Sequence, residues 1–252
     1  LASKPFTPKP LVNAKTPVGM MKVGDKIFAY LPWSIGYFGI KKIKVGHAGT
    51  LDPLATGLLI ICTGKMTKKI SSFQNQTKKY TGTFLIGSTT PSFDLETKPD
   101  NTFPVDHINK DLIINATKSF IGKIKQKPPI YSAIKKDGVR LYEHARAGEV
   151  IEIESRKTTI HEFEITRIAL PEIDFRVVCS KGTYIRSLAN DFGERGGFGA
   201  YLWSLRRTQS LPFRVEDALT PKAWVEHFFP TYSSVNEHFS DDSVKKVFTK
   251  AF

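Results

Sequence analysis

Residues 173–192 constrain the fold more than any other stretch. Ile173, Phe175, Val177 and Cys179 alternate with Asp174 and Arg176, the period-two pattern of a strand with one buried face. Six residues on, Ile185, Leu188, Ala189 and Phe192 fall at i, i+3, i+4 and i+7, one apolar stripe on a helix. Gly193, Gly196, Gly197 and Gly199 end that helix, and Thr183 is placed to cap its start. Arg186 stands in the first turn, off the stripe. A half-buried strand followed at once by an amphipathic helix needs a sheet with helices packed on one side.

The remaining segments agree with that layout. Residues 58–62 form a short apolar run that reads as a buried strand, and residues 80–86 are β-branched and aromatic. Residues 87–110 are rich in Gly, Ser, Thr, Pro, Asp and Asn and read as a long loop. Asp111 is a candidate cap for a helix reaching Phe120, with Ile113, Ala116 and Phe120 on one face. Pro128-Pro129 breaks the chain before an expected strand at 131–135. A helix is expected from Arg140 to Ala147, stopped by Gly148, then strands near 149–156 and 160–168. A strand at 200–205 and a helix near 221–229 complete the pattern. Strands and helices do not alternate regularly, so the class is α+β with a mixed, mainly antiparallel sheet. Residues 1–30, rich in Lys and Pro, are expected to form a loose arm followed by irregular structure.

Charge narrows the function. The 252 residues carry 37 Lys and Arg against 24 Asp and Glu, a net charge of +13. Residues 1–70 hold eleven lysines, no arginine, and Asp25 and Asp52 as their only acids. Such a field favours a polyanion through counterion release and steering. No apolar run reaches 18 residues, so no membrane partner is expected, and residues 1–10 lack the apolar core of a signal peptide. Cys62 and Cys179 lie far apart in apolar segments, which fits a reducing, cytoplasmic setting.

Several familiar motifs fail on inspection. Asp191-Phe192-Gly193 spells a kinase magnesium motif, but it belongs to the helix above and lacks the glycine-rich loop and His-Arg-Asp. Gly57 to Gly64-Lys65 has the wrong spacing for a P-loop. The six histidines show no metal-ligand spacing, so no metal is expected.

Residues 45–57 read Val-Gly-His-Ala-Gly-Thr-Leu-Asp-Pro-Leu-Ala-Thr-Gly, a glycine-bounded loop with one carboxylate, Asp52. Pro53 restricts Asp52 to an extended conformation. Lys41, Lys42, Lys44, Lys65, Lys68 and Lys69 flank it in sequence, and a carboxylate in a cationic setting stays ionised. From the residues alone this is either an Asp-Pro turn or a reactive carboxylate.

The stretch GHAGTLDPLATGLLIICTGKMTK closely resembles the signature of the TruB family of tRNA pseudouridine synthases. Lys79-Tyr80, residues 87–94, Pro128-Pro129-Ile130-Tyr131-Ser132-Ala133, residues 138–146, Lys181-Gly182-Thr183-Tyr184-Ile185-Arg186 and residues 199–207 resemble further family blocks in family order, over roughly 41–220. The resemblance implies a pseudouridine synthase fold and isomerisation of uridine 55 in the TΨC stem-loop of tRNA, after base flipping. It implies that Asp52 is the nucleophile, whether toward the sugar, toward the base or by way of a glycal; no cofactor and no metal take part. Arg186 matches the arginine that pairs with that aspartate, and Tyr80 the tyrosine that stacks on the flipped uracil and helps remove its carbon-5 proton. His47, Tyr184, Leu205 and Asp94 match residues lining or neighbouring the pocket, and Lys68 is a phosphate-contact candidate.

Two departures stand out. The family's Lys-Pro-x-Gly-x-Ser/Thr-Ser block appears here as Lys15-Thr16-Pro17-Val18-Gly19-Met20-Met21, with a Thr inserted and methionines replacing hydroxyls. About forty residues follow Thr208, fewer than a PUA RNA-binding domain needs. The expectation is one catalytic domain over 1–252: a diverged element at 1–40, a core at 41–214 and a helical extension at 215–252, acting as a monomer. The competing readings are a synthase for another RNA, guided or not, and a non-catalytic RNA-binding or tRNA-folding protein.

Overall fold

The computed structural model describes residues 19–23, 26–31, 45–132, 134–149 and 151–218. The expected helix near 221–229 lies outside the described residues. In chain order the strands begin with β1 (Gly19–Val23), β2 (Lys26–Leu31), β3 (Val45–His47) and β4 (Thr56–Thr63). Helix α1 (Ile70–Gln74) precedes β5 (Lys78–Ile86), β6 (Ser88–Thr89), β7 (Asn101–Thr102) and α2 (Lys110–Lys118). Then come β8 (Gly122–Gln126), β9 (Lys135–Lys136), β10 (Val139–Arg140) and α3 (Leu141–Arg146). The series closes with β11 (Arg156–Ala169), β12 (Glu172–Cys179), α4 (Ile185–Gly196), β13 (Ala200–Ser210) and β14 (Phe213–Arg214). The class is α+β, as expected.

The chain divides into two compact units, one built from residues 1–76 and 207–252, the other from 77–206. In the first, β4 pairs in parallel with β2 and antiparallel with β3, and β1 pairs antiparallel with β2. The strand pair of 19–31 replaces the irregular structure expected there; period-two patterning is weak in GMMKV and KIFAYL. Leu58, Leu59, Ile60, Ile61 and Cys62 are all buried, the unbroken apolar run of a strand covered on both faces. Leu58, Ile60 and Cys62 join Ala48, Phe213 and Val215 in one cluster, against which Met66, Ile70 and Phe73 pack.

In the second unit β5 pairs antiparallel with β12, β12 with β11, and β11 with β8, which is the edge strand. The alternation in β12 is as expected: Ile173, Phe175, Val177 and Cys179 are buried. On its other face Asp174 and Arg176 meet Arg167, Glu162 and Glu164. Ile185, Leu188, Ala189 and Phe192 are likewise buried. Phe192 lies 5.4 Å from Phe84, which stacks on Phe175 at 4.0 Å, so an aromatic cluster joins α4 to the sheet.

Four local expectations fail. Helix α2 is capped by Asn109, whose Oδ1 accepts from the Leu112 N–H at 2.9 Å; Asp111 sits inside the first turn. The α4 N-cap is Tyr184 and not Thr183, whose hydroxyl donates to the Ser180 carbonyl. No strand forms over 131–134 or 149–155 among the described residues; Ser132 N–H closes a turn on Ile130 O instead. The loop after β5 is ordered by β6–β7 pairing and by hydroxyl bonds among Thr90, Ser92 and Thr97.

Candidate active site

The signature segment forms the turn between β3 and β4. Ala48 N–H donates to Ile60 O at 2.8 Å, and Ala55 N–H donates to Asp52 O at 2.9 Å. The second bond closes a β-turn with Pro53 at its second position, where the fixed φ of proline fits. Leu51 and Ala55 are buried, Leu54 is exposed, and Asp52 between them is half-buried. The loop is therefore pinned by apolar residues on either side of its carboxylate.

Arg207 fixes the loop from below. Its side chain is 1% exposed, and among the described residues its guanidinium donates only to backbone carbonyls: Nε to Leu58 O at 2.6 Å, Nη2 to Gly49 O at 3.2 Å and Nη1 to Thr50 O at 3.5 Å. Gly57 (φ +100°) lets β4 approach this residue; a Cβ there would stand 2.2 Å from the Arg207 carbonyl oxygen. Arg207 is not among the candidate site residues that the sequence singles out. Its signal was parity: it shares a strand face with buried Leu205 on β13, whereas Arg206 is exposed.

His47, the last residue of β3, is held toward the neutral imidazole. Burial is the main cause, a hydrogen bond with the Gly49 backbone opposes it, and the Arg207 cation adds to the lowering. Lys68 lies in the 3-10 turn Gly64–Lys69 and is exposed, as its role as a phosphate-contact candidate requires.

The other named residues belong to the second unit. Tyr80 lies on β5, buried, on the face that also carries Phe84. Leu205 is buried on β13. Arg186, the second residue of α4, is 3% exposed; its Nη1 donates to Tyr131 O at 2.9 Å and lies 3.6 Å from Oδ2 of Asp94, itself 4% exposed. Asp94 Oδ1 accepts from Glu96 N–H at 2.9 Å, and its carbonyl accepts from the Thr90 hydroxyl at 2.8 Å. The structure thus brings Asp94 and Arg186 together.

Gln126, 2% exposed on β8, grips Tyr184 by its backbone. Its Nε2 donates to Tyr184 O at 3.0 Å, and its Oε1 accepts from Tyr184 N–H at 2.8 Å. Ser187 Oγ donates to Lys127 O at 2.7 Å. With the Arg186–Tyr131 bond, the chain from 126 to 131 stitches down the whole first turn of α4. Among the described residues no group of three His, Cys, Asp or Glu is placed to hold a metal, and no helix is long and apolar enough to cross a membrane.

Comparison with known proteins converges on one class. A solved Cbf5-Nop10-Gar1 complex matches 79% of this chain at 28% identity with a TM-score of 0.57, and an H/ACA RNP bound to a substrate RNA containing 2'-deoxyuridine matches 79% at 25% with a TM-score of 0.54. The chain spans about half the length of those solved chains. The fold is that of a pseudouridine synthase.

The TruB family pseudouridylate synthase profile (N terminal domain) matches residues 37–185. The tRNA pseudouridine synthase B of Flavobacterium johnsoniae is 73% identical over 179 residues, 71% of this chain and 78% of that protein. Its counterpart in Phocaeicola vulgatus is 54% identical over 188 residues, 75% of this chain and 80% of that protein. The chain belongs to the TruB family.

Proposed function

We propose that this chain isomerises uridine 55 in the TΨC stem-loop of tRNA to pseudouridine, acting as a cytoplasmic monomer without metal or cofactor. The reaction breaks the N1–C1′ glycosidic bond, forms a C5–C1′ bond, releases the proton of carbon 5 and protonates N1. Asp52 is the nucleophile in this proposal. The observation that carries it is the Asp52 loop: a half-buried carboxylate on a turn whose carbonyls are gripped by a buried arginine, in a segment with the family signature. A group held this firmly meets its target with little reorganisation.

The other residues take supporting roles. Arg186 pairs with the nucleophile in the working site and orients it, while Asp94 and Tyr131 O hold the guanidinium in place. Tyr80 stacks on the extruded uracil and helps remove the carbon-5 proton; Leu205 forms the apolar wall. Tyr184 lines the pocket, and His47 contributes a neutral imidazole beside the flipped nucleotide. Extruding a stacked base costs a few kcal/mol. Stacking on Tyr80, worth ~1–3 kcal/mol in comparable protein–base pairs, together with attraction of the basic surface to phosphates, offsets it.

The test is tritium release from tRNA labelled at carbon 5 of uridine. The wild type is expected to release about one tritium per tRNA, and none from that position when uridine 55 is replaced by cytidine. Asp52→Asn is expected to release none while binding tRNA within about tenfold of wild type, since the nucleophile acts in the chemical step. Turnover by the mutant would overturn the role of Asp52. Binding without release by the wild type would point to another RNA or to a binding protein.

A further inference from the structure

The outer face of the second unit's sheet is divided by charge. At one end every arginine is matched: Arg167 meets Glu172 and Asp174, and Arg176 meets Glu162 and Glu164. At the other end, beyond the register shift between Ile160 and Glu162 in β11, the cations are unmatched. Lys125 on β8 stands directly opposite Lys157 on β11, and Lys123 lies two residues along the same face. All three are exposed, and none has an ion-pair partner among the described residues. Lys127, and Arg156 opposite Gln126, are exposed and likewise have no ion-pair partner among the described residues. Glu152 and Glu154, just upstream, make no ion pair with any of them.

Two like charges directly across an antiparallel ladder have Cβ atoms about 5 Å apart and oppose pairing. Edge strands do carry lysines to block aggregation. That accounts for Lys123 and Lys125 on β8, but not for Lys157, which lies on an interior strand and faces one of them. The same strand pair is bolted to the candidate site. Gln126, next to Lys125, holds the Tyr184 backbone, and the Lys127 carbonyl takes the Ser187 hydroxyl. Gln126 points to the buried face of β8, against which α4 starts, so the patch occupies the opposite, solvent face of that same edge strand pair.

We propose that Lys123, Lys125 and Lys157 form a phosphate-binding face that grips the RNA backbone flanking the nucleotide held at Tyr184 and Arg186. The proposal rests on the RNA substrate argued above. RNA phosphates are the complement that three solvated, unpaired cations on one flat face fit, and their binding relieves the Lys125–Lys157 repulsion.

The test uses Lys125→Gln/Lys157→Gln in the full chain, with Lys110→Gln/Lys118→Gln on α2 as a control of equal charge. Binding of tRNA is measured against salt with the two pairs built into Asp52→Asn, and tritium release is measured with them in the active enzyme. The patch pair is expected to reduce the slope of log K against log salt by about 1–2, one phosphate contact per lysine. KM should rise roughly fivefold at 150 mM salt with kcat unchanged, at about half a kcal/mol per exposed pair. The thermal midpoint should stay level or rise as the repulsion is removed. An unchanged slope and KM would overturn the proposal, as would aggregation of the variant as its only defect, which is the edge-protection outcome. An equal effect from the α2 control would overturn it too, since a diffuse field would then suffice. No tritium release with the slope difference intact would overturn the functional proposal and uphold the binding face.

Discussion

Arg207 offers the sharpest test of how the aspartate loop is held. Its guanidinium sits on three backbone carbonyls, with no carboxylate partner among the described residues. The bond to Leu58 O at 2.6 Å is short and that to Gly49 O at 3.2 Å is at the long end of the ordinary range; the one to Thr50 O at 3.5 Å is beyond it and counts for little. Hydrogen bonds to a charged donor contribute about 1.5–3 kcal/mol each, so two give roughly 3–6 kcal/mol. Arg207→Met loses them and regains part of the cost of burying a cation, leaving a net loss of about 2–4 kcal/mol. Against a typical stability of about 5–15 kcal/mol the variant still folds. Arg207→Lys keeps the charge, but a single ammonium cannot span the carbonyls that the planar fork bridges.

The loop then loosens, and a shift near 1 Å in a reacting group costs on the order of 100-fold in rate. The assay pairs urea unfolding with tritium release from carbon 5 of uridine. Arg207→Lys is expected to lower kcat about 10- to 100-fold with KM within about threefold, because the carboxylate is displaced and the RNA-binding surface is not. A second readout is the His47 titration by NMR. The Arg207 cation is one cause of its lowering, so Arg207→Met moves the His47 pKa upward, though not to the ordinary value, since burial is the larger cause. Wild-type kcat in Arg207→Lys, or an unmoved urea midpoint in Arg207→Met, would refute the clamp.

Two further outcomes are expected. Burial, aided by Glu194, raises the Asp191 carboxyl to about 6, so between roughly pH 4 and 6 the folded state holds a proton that the unfolded state has lost, and stability falls as pH rises through that window. Asp191→Asn should add about 1–2 kcal/mol at pH 7.5, discounted for partial exposure, and almost nothing near pH 4, as read from urea midpoints at both values. Gln126→Ala removes both bonds to the Tyr184 backbone and should destabilise the fold by about 1–3 kcal/mol while lowering turnover, as measured by thermal unfolding and tritium release; an unchanged midpoint would show that the grip is dispensable.

The parts of the fold legible in the sequence are those with an uninterrupted period. β12 and α4 bury one side chain in two and one stripe in 3.6, and the pattern survives because nothing else competes for those residues. The failures have local causes. Ile130, Tyr131 and Ser132 favour a strand by composition, yet the proline pair before them and the Ser132–Ile130 turn hold the segment in bends, leaving the Tyr131 carbonyl to Arg186. Asn109 and Asp111 are equally good caps, and no rule of residue type separates candidates two positions apart. The Asp94–Arg186 contact joins segments far apart in the chain and cannot be read from spacing. Arg207 is a case apart: strand parity points it inward beside Leu205, but an arginine at an inward position is read as an edge residue unless its acceptors are known.

Those acceptors bear on the chemistry. Arg186 and Arg207 are each buried within their own unit, but the first lies near a carboxylate and the second on carbonyls. Arg186, 3.6 Å from Asp94, has part of its charge offset. Carbonyl dipoles solvate the Arg207 cation without cancelling it, so a full positive charge remains in the floor of the Asp52 loop. That field disfavours protonation of His47 and attracts any anion presented to the loop, whether a carboxylate or a phosphate. A carboxylate in place of one of those carbonyls would hold the arginine at least as firmly while removing that field. Rigidity alone therefore does not explain neutral acceptors around Arg207; the retained charge does.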